Sequence, residues 1–295
     1  MVNIRERKVG NEEYYYLEHS VREGKNVVKK EVYLGKEIPK DIDKIKKKFI
    51  FDLYKEKWFS VFDKIKSNYK NEQKIMPPSS RVKAKETFAV KFTYNTQRIE
   101  GSTLSLRETA KLLERGITPD NKPINDVLEA EAHKNVFYEM LKHNGGLSMQ
   151  IVLYWHKKLF ERTKPDIAGK TRTHQVVISM SKFVPPMPAE IDFLLNEFFD
   201  WYKKNENKLN PVELAALVHL KFVTIHPFGD GNGRISRLMM NFVLNKFGYP
   251  MFDIPYDKRD GYYTALERSQ TKKEETPFLH WFFKRYIKEY KTYLK

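Results

Sequence analysis

Hydrophobic and polar positions change period several times along the 295-residue chain, and each change predicts a different element. EEYYYLEHS (12–20) and NVVKKEVYLG (26–35) are short aromatic and β-branched runs with REGK between them as a turn. That pattern predicts a β-hairpin. From Pro39 to about Asn71, Ile42, Ile45, Phe49, Leu53, Trp58, Phe62 and Ile65 recur at helical spacing among Lys, Glu and Asp. MPPSSR (76–81) breaks this helix and is the expected boundary. Beyond it, 85–100, 105–116, 124–146, 148–162, 189–205, 211–225, 235–248, 261–270 and 276–294 read as helices. Ser105 and Gly116 bracket one of them as caps. The exception is TRTHQVVISMSKFVPPM (171–187), which alternates like strands. No internal repeat is present. The expected fold class is mainly α, a helical bundle with one inserted β-hairpin and another at the N-terminus.

Composition narrows the class without changing that outline. Hydrophobic residues are 41% and aromatics 14%, enough for a buried core. Cys is absent, so disulfides and thiolate metal sites are excluded. Met1 is followed by polar VNIRERK, unlike a signal peptide, and no apolar run is long enough to span a bilayer. A cytoplasmic protein with no membrane partner is the expectation. The net charge of +16 is uneven: residues 1–85 hold 22 Lys/Arg against 13 Asp/Glu, a surplus of 9. A basic N-terminal region of hairpin plus helix (1–75) can hold nucleic acid or be a solvated Lys-rich surface. No aromatic-basic interleave or zinc-finger spacing accompanies it.

The chemistry concentrates in HPFGDGNGRISR (226–237), between two apolar helices. Gly231-Asn232-Gly233 lets backbone N–H groups converge on an anion, and a helix beginning near Ile235 adds its positive end. Arg234 and Arg237, three residues apart, can grip phosphate oxygens. Asp230 can hold a divalent cation against them, and His226 can take a proton near neutral pH. These residues together suit phosphoryl or nucleotidyl transfer. A P-loop would need Gly-Lys-Ser/Thr, and a Rossmann turn would follow a strand. The remaining alternative is a glycine-rich helix connector with a core histidine.

At every defined position this stretch resembles the Fic-domain motif, H-P-F-x-[D/E]-G-N-G-R-x-x-R. The resemblance covers roughly residues 85–290 and implies a Fic-type helical bundle with a β-hairpin flap. It implies a domain over 85–295 that transfers AMP from ATP to a Ser, Thr or Tyr hydroxyl of a protein, itself included, with Mg²⁺ or Mn²⁺. His226 would then be the base, Asp230 the metal ligand, and Phe228 a buried loop anchor. Asn232 with the amides of Gly231 and Gly233 would hold the α-phosphate, and Arg234 and Arg237 the outer phosphates. Gly233 places the chain with the AMP-transferring branch, since a phosphorylating branch carries Lys there.

TQRIEG (96–101) is similar to the family's inhibitory motif, [S/T]-x-x-x-E-[G/N]. The implied inhibitory helix covers about 88–100, with Thr96, Glu100 and Gly101 as its signature and Glu100 beside Arg237. An exposed Glu before a helix-ending Gly is the ordinary reading of the same letters. The resemblance also admits the reverse reaction, AMP removal, with Glu100 orienting a water, and a homodimer that controls the helix. A different class stays open too: a nucleotide-sensing regulator that binds nucleic acid through its basic N-terminal region. GKTRTHQVVIS (169–179) is similar to the flap that clamps a target, with Lys170, Thr171 and Val177 as docking candidates. Tyr262 and Tyr263 resemble an adenine-lining pair, with core packing as the rival role. Gln270 departs from the Asn that some relatives carry near the base. The other histidines form no metal-binding pair, and His219 is expected in the core.

Overall fold

Backbone alternation at the N-terminus extends further than the hydrophobic pattern. A computed structural model describes residues 2–23, 26–179 and 181–295. Three antiparallel strands, β1 (Asn3–Val9), β2 (Glu12–Glu23) and β3 (Asn26–Gly35), pair in the order β1-β2-β3. The expected hairpin is β2–β3; of its REGK turn, Gly24 and Lys25 lie outside the described residues. β1 was not expected, because its only apolar positions are Ile4 and Val9, too few for alternation to register. A register shift falls between Tyr15 and Tyr16. Leu17 is fully buried, and several basic side chains in and beside the sheet are paired: Arg5 with Glu18, Lys8 with Glu13, Lys29 with Glu18 and Lys36 with Glu12, at 2.5–3.1 Å.

The chain divides into two units, residues 1–63 and 64–295, and the division falls inside the long helix α1 (Ile42–Ile75). In the second unit the MPPSSR break is narrower than expected. Pro78 does not end a helix but starts α2 (Pro78–Ile99) at its first position, where its missing N–H costs nothing. α3 (Leu106–Arg115) begins in a capping box, with Ser105 accepting from the Glu108 amide and Glu108 from the Ser105 amide, and stops at left-handed Gly116. α4 (Ile124–Lys142) and α5 (Met149–Phe160) follow, then α6 (Ile191–Asn205). α7 (Pro211–Ile225) and α8 (Asn232–Lys246) pack against each other with nearly all of their residues buried. Such all-round burial marks central helices. α9 (Arg259–Lys272) and α10 (Thr276–Glu289) close the bundle. Among the described residues no helix is long and apolar enough to cross a membrane.

The expected flap hairpin is not a ladder: among the described residues of 169–187 no strand forms. Side chains take the acceptors a ladder would use. Arg172 donates to the His174 and Pro186 carbonyls at 2.9 and 2.6 Å, and Gln175 to the Pro185 carbonyl at 2.9 Å. Pro185 and Pro186 have no N–H to offer in return.

Behind α2 lies one buried carboxyl. Asp253 accepts from the Asn95 amide at 2.5 Å, and the Asn95 oxygen accepts from the Tyr256 N–H at 2.9 Å. Burial pushes Asp253 from 3.8 up to about 7, against the Asn95 hydrogen bond. Between those values the folded chain holds a proton that the unfolded chain releases. Its contribution is therefore full below the unfolded value and is lost as pH rises toward 7. Asp253→Asn keeps an acceptor for Asn95 but cannot ionise. We expect it to raise Tm over wild type more at pH 8 than at pH 5; equal differences at both would show that Asp253 does not titrate there.

Candidate active site

α7 ends where His226 turns left-handed, at φ 53. Its Nδ1 lies 3.1 Å from the Val223 carbonyl, an oxygen that can only accept. Nδ1 therefore carries the proton, and Nε2 keeps its lone pair. Burial lowers the ring's pKa, opposed by the Val223 hydrogen bond and by Glu100. Arg172 fastens this corner from the flap side: its Nε donates to the His226 carbonyl and its amide to the Pro227 carbonyl, both at 2.8 Å.

The loop that follows is closed by two reciprocal bonds. The Phe228 amide donates to Asn232 Oδ1 at 2.9 Å, and Asn232 Nδ2 to the Phe228 carbonyl at 2.8 Å. The Asn232 side chain thus braces the loop, with one Nδ2 hydrogen not used by these two bonds. Phe228 is buried, as expected, and stacks on His156 with ring centres 3.8 Å apart. His156 Nδ1 accepts from the Gly169 amide at 2.9 Å, so its Nε2–H donates to the Asp230 carbonyl at 3.0 Å. Burial lowers His156 to about 4, which keeps this neutral tautomer. Nothing in the sequence marked His156 or Arg172, since each lies far from the motif.

Gly231 sits at φ +81, and a Cβ there would stand 2.4 Å from the Phe160 ring. Only glycine fits both constraints. α8 begins immediately after it, at Asn232, three residues ahead of the expected start, so Arg234 and Arg237 both project from its first turns. The first amides of this helix have no intrahelical acceptor, the requirement for an anion cradle.

The two arginines are buried and serve different partners, although their spacing predicted a shared clamp. Arg234 reaches Glu129, Gln97 Oε1 at 3.2 Å and Asp230 Oδ1 at 2.9 Å. Lys164 bridges the same acids, 2.6 Å from Asp230 Oδ2 and 3.0 Å from Glu129 Oε1. Burial would raise Asp230, but Arg234 and Lys164 outweigh it and hold the carboxyl at about 2. No group of three or more His, Asp or Glu that could hold a metal occurs among the described residues. A Mg²⁺ ion usually takes one or two carboxylates plus phosphate oxygens and water, and the always-ionised Asp230 fits that role once Lys164 turns aside. Glu129, Gln97 and Lys164 were not expected from the sequence.

Arg237 meets the TQRIEG segment. Its Nε donates to Thr96 Oγ1 at 2.5 Å, and one terminal nitrogen reaches Glu100 Oε1 at 2.5 Å and the Thr96 carbonyl at 3.3 Å. The other reaches the Tyr262 hydroxyl at 3.3 Å. Gly101, at φ +98, stops α2 one residue after Glu100 and so fixes where the carboxylate emerges. A Cβ on Gly233 would lie 2.4 Å from Glu100 Oε1 and 3.0 Å from Arg237, so the carboxylate rests in space that glycine leaves open.

The peripheral candidates separate. Tyr262 is buried, bonded to Arg237 and 3.0 Å from His219 Nε2, and its ring packs on Phe278 and Trp281. These contacts are the ones its rival role in core packing calls for. Tyr263 keeps an exposed face while its hydroxyl donates to the Ile99 carbonyl at 3.1 Å. Gln270 bonds Thr224 at 3.3 Å, just before the His226 corner. In the flap, Lys170 is exposed and bonds the Asp166 carbonyl, Thr171 is half-buried, and Val177 is 87% exposed. His219 is buried, as expected.

The loop with its helix, histidine and two arginines occupies the span that a family comparison selects: residues 146–244 match the Fic/DOC family. Over that span the chain resembles Fic-domain proteins. Over 190 residues, 63% of the chain, it is 34% identical to the protein adenylyltransferase Fic of Aedes aegypti, of which the match covers 38%. The chain thus spans well under half of that relative's length. Among solved structures it resembles Fic-1 of C. elegans, with TM-score 0.73 and 25% identity over 86% of this chain and 76% of that one. A Fic-domain-containing signaling protein of Bacteroides thetaiotaomicron gives TM-score 0.72 and 26% identity over 80% and 96% of the two chains. Thr96, Glu100, Tyr262 and Tyr263 lie outside the matched Fic span.

Because burial lowers the His226 pKa, the neutral ring persists below the ordinary histidine value of 6.5. The ring should therefore protonate at a lower pH than a free histidine. NMR titration of labelled His226 checks this, and a midpoint above 6.5 would overturn the buried neutral ring.

Proposed function

We propose that this chain transfers AMP from ATP to a Ser, Thr or Tyr hydroxyl of a protein and is restrained by its own Glu100. The observation that carries this reading is the Glu100–Arg237 pair, with the carboxylate lying over Gly233 at the mouth of the anion cradle. In the proposed step the target oxygen attacks the α-phosphorus, the bond to the bridging oxygen breaks, and pyrophosphate leaves. His226 Nε2 receives the hydroxyl proton. The amides opening α8 hold the α-phosphate in place, and Arg237, once free of Glu100, binds the outer phosphates. Asp230 would hold Mg²⁺ or Mn²⁺, which neutralises phosphate charge when bound. The relatives' name, protein adenylyltransferase, supports the same reading.

One observation favours a second direction. Glu100 Oε1 is engaged by Arg237, while Oε2 has no protein partner among the described residues and the side chain is 26% exposed. That oxygen can orient a water for removal of AMP from a modified protein. Nothing comparable favours a nucleic-acid-binding regulator: Arg5, Lys8, Lys29 and Lys36 of the N-terminal region are each paired with a glutamate.

Glu100→Gly removes charge and side chain together, and misplacement of a reacting centre by about 1 Å costs on the order of a hundredfold. With labelled ATP, Glu100→Gly should label itself far more than wild type. Adding Arg237→Ala should cancel most of the gain, and adding His226→Ala should cut labelling by ~10²-fold or more while ATP still binds. Equal labelling by wild type and a folded, ATP-binding Glu100→Gly would refute the restraint.

If Asp230 holds the cation, EDTA should abolish labelling by Glu100→Gly, and added Mg²⁺ or Mn²⁺ should restore it. Asp230→Ala should require more metal for the same rate. Labelling indifferent to EDTA would remove the metal role.

A further inference from the structure

A groove of about 710 Å³ opens beside the His226 corner, and nothing described so far uses it. The C-terminal leg of the flap, α6, α7 and the α9–α10 junction line it, with Phe183, Phe198, Trp201 and Leu220 forming an apolar floor. One end is Thr224 and Ile225, the residues immediately before His226. Pro186, also in its wall, is tied through Arg172 to the His226 carbonyl. A chain lying in this groove therefore leads to the base. Val184 in its lining is itself exposed.

Its charge is opposite to that of the molecule. The chain carries +16, yet Glu190, Glu197, Glu274 and Glu275 line the groove against Lys221 and Lys273. Lys221 is already engaged, 2.5 Å from Glu275 and 4.8 Å above the Trp201 ring. It shows the kind of group the floor accepts: a cation set between an aromatic face and a carboxylate. Glu197 and Glu274 have no cationic partner among the described residues. Acid at the rim of an apolar groove on a basic protein selects for a basic, apolar visitor and repels most acidic chains.

We infer that this groove docks a segment of the protein substrate in which an apolar side chain is flanked by Lys or Arg, placing the neighbouring hydroxyl at His226. The inference rests on the transfer reaction proposed above and adds the chemistry of its substrate. Binding energy collected in the groove, away from the reacting atoms, would serve to position the hydroxyl.

The test uses the full chain and fluorescein-labelled peptides of alternating Leu and Lys around one Ser, with Glu-for-Lys and Ser-for-Leu versions as controls. Anisotropy should show binding of the Leu/Lys peptide, weakened by salt, and little binding of either control. Glu197→Lys with Glu274→Lys should weaken it by about tenfold. Glu197 is exposed, Glu274 is half-buried, and both lie outside the catalytic loop, so the same pair of changes on a Glu100→Gly background should leave self-labelling intact. Loss of self-labelling in Glu100→Gly alone would count against the transfer reaction and not against the groove. Peptide binding untouched by the two reversals, or preference for the Glu peptide, would overturn the groove. So would a fall in self-association of the chain on the two reversals, by sedimentation, because a second copy would then be the occupant.

Discussion

Two guanidinium groups buried at the start of α8 organise the helices around the motif. Taking a cation out of water is costly, and a buried one persists only when carboxylates and carbonyls surround it. Arg234 draws in Glu129 from α4, Gln97 from α2 and Asp230 from the loop. Arg237 draws in Thr96 and Glu100 from α2 and Tyr262 from α9. The helices therefore converge on the motif because its charges require it, and the loop between α7 and α8 acquires its shape from that convergence. His156 and the Asn232–Phe228 pair then fix what remains of the loop's freedom.

The two arginines stand in different electrostatic situations, and the difference bears on regulation. Arg234 is matched by two acids at once, Glu129 and Asp230, and Lys164 shares both. Those contacts tie α4 and the loop together. Arg237 is matched by Glu100, whose side chain remains partly in water at the last turn of α2. A buried cation with a removable partner is suited to exchange one anion for another. Phosphate oxygens can replace the carboxylate without leaving the charge bare.

Much of this was legible in the sequence, and the failures share a cause. Helix periodicity located the bundle, and HPFGDGNGRISR located the loop, because dense local spacing reports local geometry. TQRIEG located the carboxylate, since Gly101 dictates a helix end and so the exit of Glu100. The parts missed depend on contacts between distant segments. His156, Arg172, Glu129 and Lys164 became visible only when the chain folded, 54 to 105 residues from their partners in the loop and α8. The flap read as strands because its alternation was real, yet side chains and prolines consumed the groups a ladder needs. Tyr262 illustrates the same limit: an aromatic near a site can serve a ligand or the core, and only packing decides.

Gly233 leaves room where any other residue would put a Cβ, and Glu100 fills that room. In the reaction proposed, lock and ligand therefore compete for one volume, with the lock attached to the protein. A tethered competitor has an effective concentration, of the order of millimolar or more for a short flexible link and higher for a stiff one. Cellular ATP would contend with that local concentration and not with a dilute inhibitor. Regulation then acts most economically on the tether: fraying the last turn of α2 lowers the local concentration of the carboxylate without changing any residue in the pocket.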